Sequence, residues 1–371
     1  MVGADAAGRG AVSSLALLLV SGAVSLFVCW LMIRFGPKDA PDGVRKTQGA
    51  PVASSGGVGI VAGLGAGAGM LAVMGAPVAE ALGQPPLAGL AVFTVFAALL
   101  GWLDDTKSMP ALPKLVALLS ASVVAVQIGP APDHLWIGRE SLPVGGVAGL
   151  VLVAAWIFVM ANALNFMDGA NGIAMGTALI ILAALGFLLA PVAMLSAGTA
   201  PPEVMMGLLF ACMAAIAGFL YWNLKGRLFA GDAGSLSVGG LIGGVSAMFA
   251  MYGPVLIPLT LCLPILIDVF LTLAWRAKHG RPLMQAHRDH AYQLLLRAGW
   301  SHGQVARLWW GMTAGCAGAV MAGPYAAAIG AYDAGGWPLD VIVFGVLLVG
   351  GCALWVRQRV TLGRRFAAEG K

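Results

Sequence analysis

Charged residues are scarce in this sequence. Only 10% of its 371 residues are Asp, Glu, Lys or Arg, whereas 60% are apolar, and the mean hydropathy is +0.90. A soluble domain of this length needs a more polar surface to stay in water, so the composition excludes that class. The composition indicates an integral membrane protein.

CxxC pairs and long internal repeats are also missing from the sequence. The five cysteines lie singly in apolar segments with no CxxC pair, which argues against a disulfide framework or a cysteine metal site. The first apolar run, 11–33, is too long for a signal peptide and lacks a convincing cleavage site, so we expect it to be retained as a span. No repeat suggests a transporter built from duplicated halves.

Apolar windows of about twenty residues predict the membrane spans. We count eleven such windows: 12–34, 57–75, 87–103, 114–130, 146–164, 172–191, 204–222, 235–252, 254–275, 304–330 and 338–356. Segments 35–56, 104–114, 165–171, 223–234, 276–307 and 357–371, with Arg34 at their border, hold 19 of the 21 lysines and arginines. The windows predict a single all-α membrane domain over 1–371. Because cytoplasmic loops are enriched in basic residues, its N-terminus is predicted outside and its C-terminus inside.

A cluster of polar residues ends the fifth window, in the stretch NALNFMDGANG (162–172). It holds three of the four asparagines of the chain. Asn162, Asn165 and Asp168 recur every three residues and so share one helix face. Carboxamide oxygens are neutral metal ligands, and carboxamide NH₂ groups donate to phosphates and sugars. A helix C-cap needs only one asparagine, so this cluster favours a binding site.

Two acidic motifs lie on the same predicted side of the membrane. GWLDD (101–105) ends the third window, and its paired carboxylates suit a divalent metal or proton abstraction, although such a pair is about as often a plain helix stop. AGDAGSLSVGG (230–240) begins the eighth window, where Asp232 could hold Mg²⁺ beside a helix N-terminus that favours phosphate. A simple helix N-cap explains this second motif equally well.

The longest inner segment carries a basic, histidine-rich stretch, PLMQAHRDHAYQLL (282–295). Four of the five histidines of the chain lie between 279 and 302. If the stretch is helical, His287 and His290 share a face and could donate to a diphosphate, while contact with anionic lipid headgroups would explain its lysines and arginines. Asp268 falls inside the ninth window and is a candidate supporting residue, or a structural carboxylate bonded between helices.

These four motifs, in this order, resemble those of the polyprenyl-phosphate N-acetylhexosamine-1-phosphate transferases. That superfamily, glycosyltransferase family 4, also contains the phospho-N-acetylmuramoyl-pentapeptide transferase. The similarity runs from about residue 45 to residue 303 and implies transfer of a sugar 1-phosphate from a UDP-sugar to a polyprenyl phosphate at the cytoplasmic face, with Mg²⁺ and release of UMP. Mn²⁺ is a possible substitute for Mg²⁺.

The resemblance also implies roles for individual residues. Asp232 would bind the metal with Asn165 nearby, and Asp104 and Asp105 would serve the lipid phosphate and the catalytic step, one of them as base. The candidate substrate-binding residues are Lys114, Asn162, Asn165, Asp168, Asn171, Asp268, His287, Arg288 and His290.

Two departures from the family pattern bear on the substrate. Gln48 stands where a histidine is usual, and Ala53 and Ser54 stand where Pro and Arg are usual. The histidine stretch lacks the triple histidine of the muramoyl-pentapeptide enzymes, so the chain looks closer to the branch that initiates surface glycans, with UDP-GlcNAc or a UDP-6-deoxy-N-acetylhexosamine as donor.

The expected partners are this donor, undecaprenyl phosphate and membrane lipids of a bacterial cytoplasmic membrane. No nucleic-acid partner is expected, and a homodimer is compatible with the sequence. Three alternatives remain: the muramoyl-pentapeptide reaction, an ion-coupled transporter, and an unreactive lipid-binding or scaffold protein.

Overall fold

A computed structural model of the chain describes residues 2–39, 51–129, 131–195, 202–285, 287–328 and 338–368, which are mostly helical. Gln48, which stands where the family pattern usually has a histidine, lies outside these described ranges. The helices are α1 (Val2–Phe35), α2 (Gly57–Val73), α3 (Val78–Gly83), α4 (Leu87–Lys107), α5 (Ala111–Gln127), α6 (Val147–Met167), α7 (Ile173–Leu195), α8 (Pro202–Asn223), α9 (Gly231–Ala250), α10 (Leu256–Lys278), α11 (Ala291–Arg297), α12 (His302–Ala328) and α13 (Leu339–Ala368).

A long helix coincides with each of the eleven predicted windows, while α3 and α11 are short additions. Within the described ranges, eight helices are long and apolar enough to cross a bilayer. Helices α2 and α5 are apolar but shorter, at 17 residues each, and α12 is not among the eight. The multi-pass membrane architecture is confirmed, whereas the count of eleven crossings and the orientation stay predictions.

The structure is mostly helical, as the all-α prediction expected, but it also contains two short antiparallel strand pairs. Strand β1 (Lys38–Asp39) pairs with β2 (Val52–Ala53), and β3 (His134–Ile137) pairs with β4 (Glu140–Pro143). Gly138, which has a φ of +60°, begins the two-residue turn of the second pair. A two-residue turn that begins with glycine favours a hairpin. The hairpin was not predicted, because only apolar windows were searched for.

Helix α9 lies at the centre of the molecule, and its apolar window is wholly buried. Helices α4 and α6 pack along it. A Cβ atom added at Gly101 of α4 would collide with the backbone of Asp232 and Ala233. The end of α4 therefore meets the start of α9 at a distance that only glycine permits.

Several helix ends and two strands meet at one end of this helix set. They are the C-terminal ends of α4 and α6, the N-terminal ends of α9, α11 and α12, and the strands β1 and β2. The Ala53 carbonyl of β2 accepts a 2.9 Å hydrogen bond from the Phe229 N–H just before α9. Motifs that are more than a hundred residues apart in sequence thus become neighbours. The acidic residues that the sequence assigns to loops lie in helical turns instead: Asp104 and Asp105 in the last turn of α4, and Asp232 in the first turn of α9.

Candidate active site

A polar cavity of about 540 Å³ opens where these elements meet. Three aspartates line it from α4 and α9, and residues at the end of α6 line it as well. Its lining residues are Asp39, Val52, Ser54, Asp104, Asp105, Ser108, Met109, Asn165, Asp168, Gly169, Asn171, Gly226, Phe229, Gly231, Asp232, Gln293 and His302.

The centre of the site is a cationic bridge between two carboxylates. The Lys114 ammonium, in the first turn of α5, donates to Asp232 Oδ2 at 2.6 Å and to Asp104 Oδ2 at 2.9 Å. The side chains are only 20% (Lys114), 16% (Asp104) and 21% (Asp232) exposed. At this burial a charge needs a partner, so the two acids share one cation.

Asn165 fixes the other side of Asp232. Its side-chain NH₂ donates to Asp232 Oδ1 at 2.8 Å and also lies 2.8 Å from Ser235 Oγ. Ser235 in turn donates to the Gly231 carbonyl at 2.9 Å. Both oxygens of Asp232 are therefore held in a defined orientation at the cavity wall.

Asp105 has a different environment from its neighbour Asp104. Its carboxylate accepts the Asp232 N–H at 2.8 Å, the Ala233 N–H at 3.4 Å and the Ser55 hydroxyl at 2.8 Å. Asp105 thus caps the N-terminus of α9 from another helix, where a negative charge is favoured by the helix dipole. The backbone makes room for this contact at Gly231, which has a φ of +67° and whose added Cβ would meet the Asp105 carboxylate.

The cavity lining also includes an unsatisfied polar atom. The buried side-chain oxygen of Asn171 has no hydrogen-bond partner among the described residues, although buried polar atoms are nearly always bonded. The Asn171 N–H donates to Nδ1 of His302 at 3.1 Å, so a neutral ring carries its proton on Nε2. Desolvation lowers the pKa of His302 and favours this neutral form. Asp168 ends α6 beside them.

The cavity does not gather every predicted residue. Asn162 donates from its side chain to the Phe158 carbonyl of its own helix at 2.8 Å and is absent from the lining. Asp268 is buried and accepts the Ala291 N–H at 2.7 Å, which is the structural alternative that the sequence left open. His287, Arg288 and His290 precede α11, outside the lining, where the His290 ring stacks on His287 at 5.0 Å. Their proposed contacts with a diphosphate stay predictions.

Several residues of the site were not singled out from the sequence. Ser55 bonds to Asp105, and His302 and Gln293 line the cavity. His302 belongs to the group of four histidines, so a signal existed, but its distance from the HRDH motif made it look peripheral. Ser55 gave no signal, because only the fold brings it next to α4. Ser54, a departure from the family pattern, lies in the cavity wall.

The donor set at this cavity fits a divalent cation. Mg²⁺ is usually bound by one or two carboxylates together with water and substrate phosphates, not by a closed protein cage. The Lys114 ammonium already shows that Asp104 and Asp232 can hold one cation between them. No group of three or more His, Cys, Asp or Glu side chains arranged for a metal occurs in the described part of the chain, so substrate oxygens would have to complete the coordination.

Comparisons with known proteins agree with this geometry. The family model for glycosyl transferase family 4 matches residues 87–250, which carry the three cavity aspartates of α4 and α9. A decaprenyl-phosphate N-acetylglucosaminephosphotransferase of Mycobacterium tuberculosis is 29% identical over 257 residues, 61% of this chain and 61% of its own length. The chain thus spans about three fifths of that relative.

Two relatives carry another name. A phospho-N-acetylmuramoyl-pentapeptide-transferase of Saccharopolyspora erythraea is 30% identical over 272 residues, 62% of this chain and 73% of its own length. One of Mycolicibacterium smegmatis is 27% identical over 367 residues, 87% of this chain and 98% of its own length.

Proposed function

Because the chain belongs to glycosyl transferase family 4, we propose that it transfers N-acetylhexosamine 1-phosphate from a UDP-sugar to undecaprenyl phosphate. The donor is UDP-GlcNAc or a UDP-6-deoxy-N-acetylhexosamine, and the reaction starts a lipid-linked envelope glycan at the cytoplasmic face of a bacterial membrane. The observation that carries the proposal is the cavity in which Asp104, Asp232 and Asn165 converge at one end of the membrane helices. A water-soluble nucleotide and a membrane-anchored phosphate can meet only at such an interface.

In the proposed reaction an oxygen of the lipid phosphate attacks the β-phosphorus of the UDP-sugar. The new P–O bond joins lipid and sugar through a diphosphate, the bond to the bridging oxygen breaks, and UMP leaves with that oxygen. Positioning and charge stabilisation are the main tasks of the protein in phosphoryl transfer. Asp232 would hold a bound Mg²⁺, with Asp104 or Asn165 as a neighbour. The metal would supply positive charge to neutralise the diphosphate.

The contacts distinguish the two neighbouring acids. Asp105 is committed to the start of α9 through two backbone N–H groups and Ser55. Asp104 Oδ1 accepts the Met109 N–H at 2.6 Å, but Oδ2 bonds to the flexible Lys114 side chain. We therefore assign Asp104 to the lipid phosphate, as orienting group or as base for its last proton, and Asp105 to positioning. Lys114 would turn from Asp104 to a phosphate when substrate enters.

The part of the lining formed by Asn171, His302 and Asp168 suits the nucleotide sugar. Asn171 offers its unpaired side-chain oxygen, and His302 its Nε2–H. Asp168 lies next to them at the end of α6. Acceptors and donors of this kind recognise the N–H and carbonyl groups of uracil or the hydroxyls of a sugar.

The muramoyl-pentapeptide reaction is the second candidate. It is favoured by the Mycolicibacterium smegmatis relative, 98% of whose length is matched by this chain. Both reactions use the same phosphate chemistry and differ in the sugar. An ion-coupled transporter is disfavoured, because its polar groups should lie near the membrane midplane, whereas these gather at helix ends.

The test of the proposal uses purified protein in detergent with undecaprenyl phosphate, MgCl₂ and a panel of UDP-sugars that includes UDP-MurNAc-pentapeptide. We expect UMP release with a UDP-N-acetylhexosamine and its loss in Asp232→Asn. Glu80→Gln, far along the chain in α3, is the control for removal of one negative charge. Turnover with the pentapeptide donor alone would select the second candidate, and substantial turnover in Asp232→Asn would refute the metal assignment.

A further inference from the structure

Helix α13 carries none of the predicted site residues, yet three of its side chains reach the histidine stretch. Trp355 Nε1 donates to Asp268 Oδ1 at 3.2 Å, Gln358 Nε2 donates to the Ala291 carbonyl at 2.7 Å, and an Arg359 guanidinium N–H donates to the Asp289 carbonyl at 2.8 Å. Positions 355, 358 and 359 lie on one helix face. Two of the acceptors are backbone carbonyls at the start of α11 or just before it. The third is the Asp268 carboxylate, which also accepts the N–H of Ala291, the first residue of α11.

Burial, charge and an aromatic ring strengthen these contacts of α13. Asp268 is buried and accepts the Ala291 N–H and the Trp355 indole N–H, so its charge is compensated by neighbours from α11 and α13. The Arg359 guanidinium lies 3.7 Å from the centroid of the Trp275 ring on α10. Its hydrogen bond to the Asp289 carbonyl is charge-assisted, and its guanidinium packs on an aromatic face.

Helix α11 connects this contact to the cavity. Gln293, on its first turn, is a lining residue. The Tyr292 hydroxyl donates to the Phe166 carbonyl at 3.1 Å, in the last turn of α6 that also carries Asn165. A shift of α11 would therefore move one cavity wall directly and the end of α6 through Tyr292.

We propose that α13 is a clamp that holds residues 287–293 against the cavity, and that Gln358 and Arg359 are positioning residues for the nucleotide-sugar. The clamp itself stands on the contacts above, while the identity of the ligand rests on the proposed function. The family model matches residues 87–250, so α13 itself lies outside the matched region, whereas the stretch it holds is one of the four motifs.

Hydrogen–deuterium exchange of the purified full-length protein tests the clamp without any substrate. We expect Arg359→Ala and Gln358→Ala each to accelerate exchange of the α11 amides by about tenfold, the loss that corresponds to one charged or well-formed hydrogen bond. Arg357→Ala is the matched control, because Arg357 is exposed on the same helix. Equal α11 exchange in the two clamp variants and in the control would overturn the clamp.

Steady-state kinetics tests the positioning role. With UDP-GlcNAc varied at fixed undecaprenyl phosphate, we expect the two clamp variants to raise the donor KM about tenfold and to change kcat less than about threefold. A fall in apparent kcat at unchanged KM would show only loss of folded protein and would overturn the positioning role. Absence of turnover in the wild-type protein with every donor would count against the proposed function, and the exchange result would still decide the clamp.

Discussion

Replacement of Lys114 by methionine should tighten the binding of a divalent cation. In the structure one ammonium lies 2.6 Å from Asp232 Oδ2 and 2.9 Å from Asp104 Oδ2, so the two oxygens are at most about 5.5 Å apart, the sum of these distances. Methionine keeps most of the side-chain volume but removes the positive charge. Two carboxylates then face each other without a counter-ion.

The size of the effect follows from Coulomb's law. Two unit charges about 5.5 Å apart repel by about 3 kcal/mol at an effective dielectric constant of ~20. A cation that relieves this repulsion gains up to about a hundredfold in affinity. In the wild-type protein the same cation must also displace the ammonium, which acts in the same direction.

Titration of the substrate-free purified protein with Mn²⁺, followed by electron paramagnetic resonance, measures this affinity. Lys107→Met is the matched control, because Lys107 is exposed at the end of α4 and loses the same charge without a bridging ion pair. We expect Lys114→Met to bind Mn²⁺ at least about tenfold more tightly than Lys107→Met. Equal or weaker binding would refute the view that Asp104 and Asp232 share one cation position.

Three further substitutions test how the site is held, each by thermal unfolding of the purified protein. Asp105→Asn should cost about 2 kcal/mol, because a neutral amide caps α9 less well than a carboxylate; an unchanged midpoint would refute this capping role. Gly231→Ala should cost about 1–2 kcal/mol through its positive φ, whereas Gly311→Ala on open surface should not. Asp268→Asn should cost about 3 kcal/mol, because loss of the charge weakens the bonds that Ala291 and Trp355 donate to Oδ1, and an amide NH₂ in place of Oδ2 would face the Tyr292 N–H; a neutral result would refute its structural role.

The helices could be predicted from the sequence because lipid leaves the chain few choices. A segment of about twenty apolar residues in a bilayer must satisfy its backbone hydrogen bonds internally, and a helix is the simplest way to do so. The predicted windows therefore coincide with long helices. The β3–β4 hairpin was missed because it lies between two windows, where local turn chemistry decides the structure.

The polar cluster could be predicted in part. The three-residue spacing of Asn165 and Asp168 placed both on the face of α6 that lines the cavity. Asn162 has the same spacing, but its side chain bonds to the Phe158 carbonyl of its own helix and it is absent from the cavity lining, so its part in substrate binding stays a prediction.

Contacts between residues far apart in the chain could not be predicted from the sequence. That Asp105 caps α9 depends on the close approach of Gly101 to Asp232, which no local pattern reveals. The role of His290 was obscured for a similar reason. Its ring is buried at the start of α11 and stacks on Tyr292, so a motif that looks like a binding site also contributes to the packing of α11.

One isotope experiment tests the central claim most directly. The protein is incubated with UDP-GlcNAc labelled with ³²P in the β-phosphate, undecaprenyl phosphate and MgCl₂, and the lipid and aqueous phases are separated. Transfer of the sugar 1-phosphate predicts that the label enters the lipid product and that the released UMP is unlabelled. Label that remains in the aqueous phase as UDP, beside a glycosylated lipid, would show that only the sugar moves and would contradict the proposed reaction.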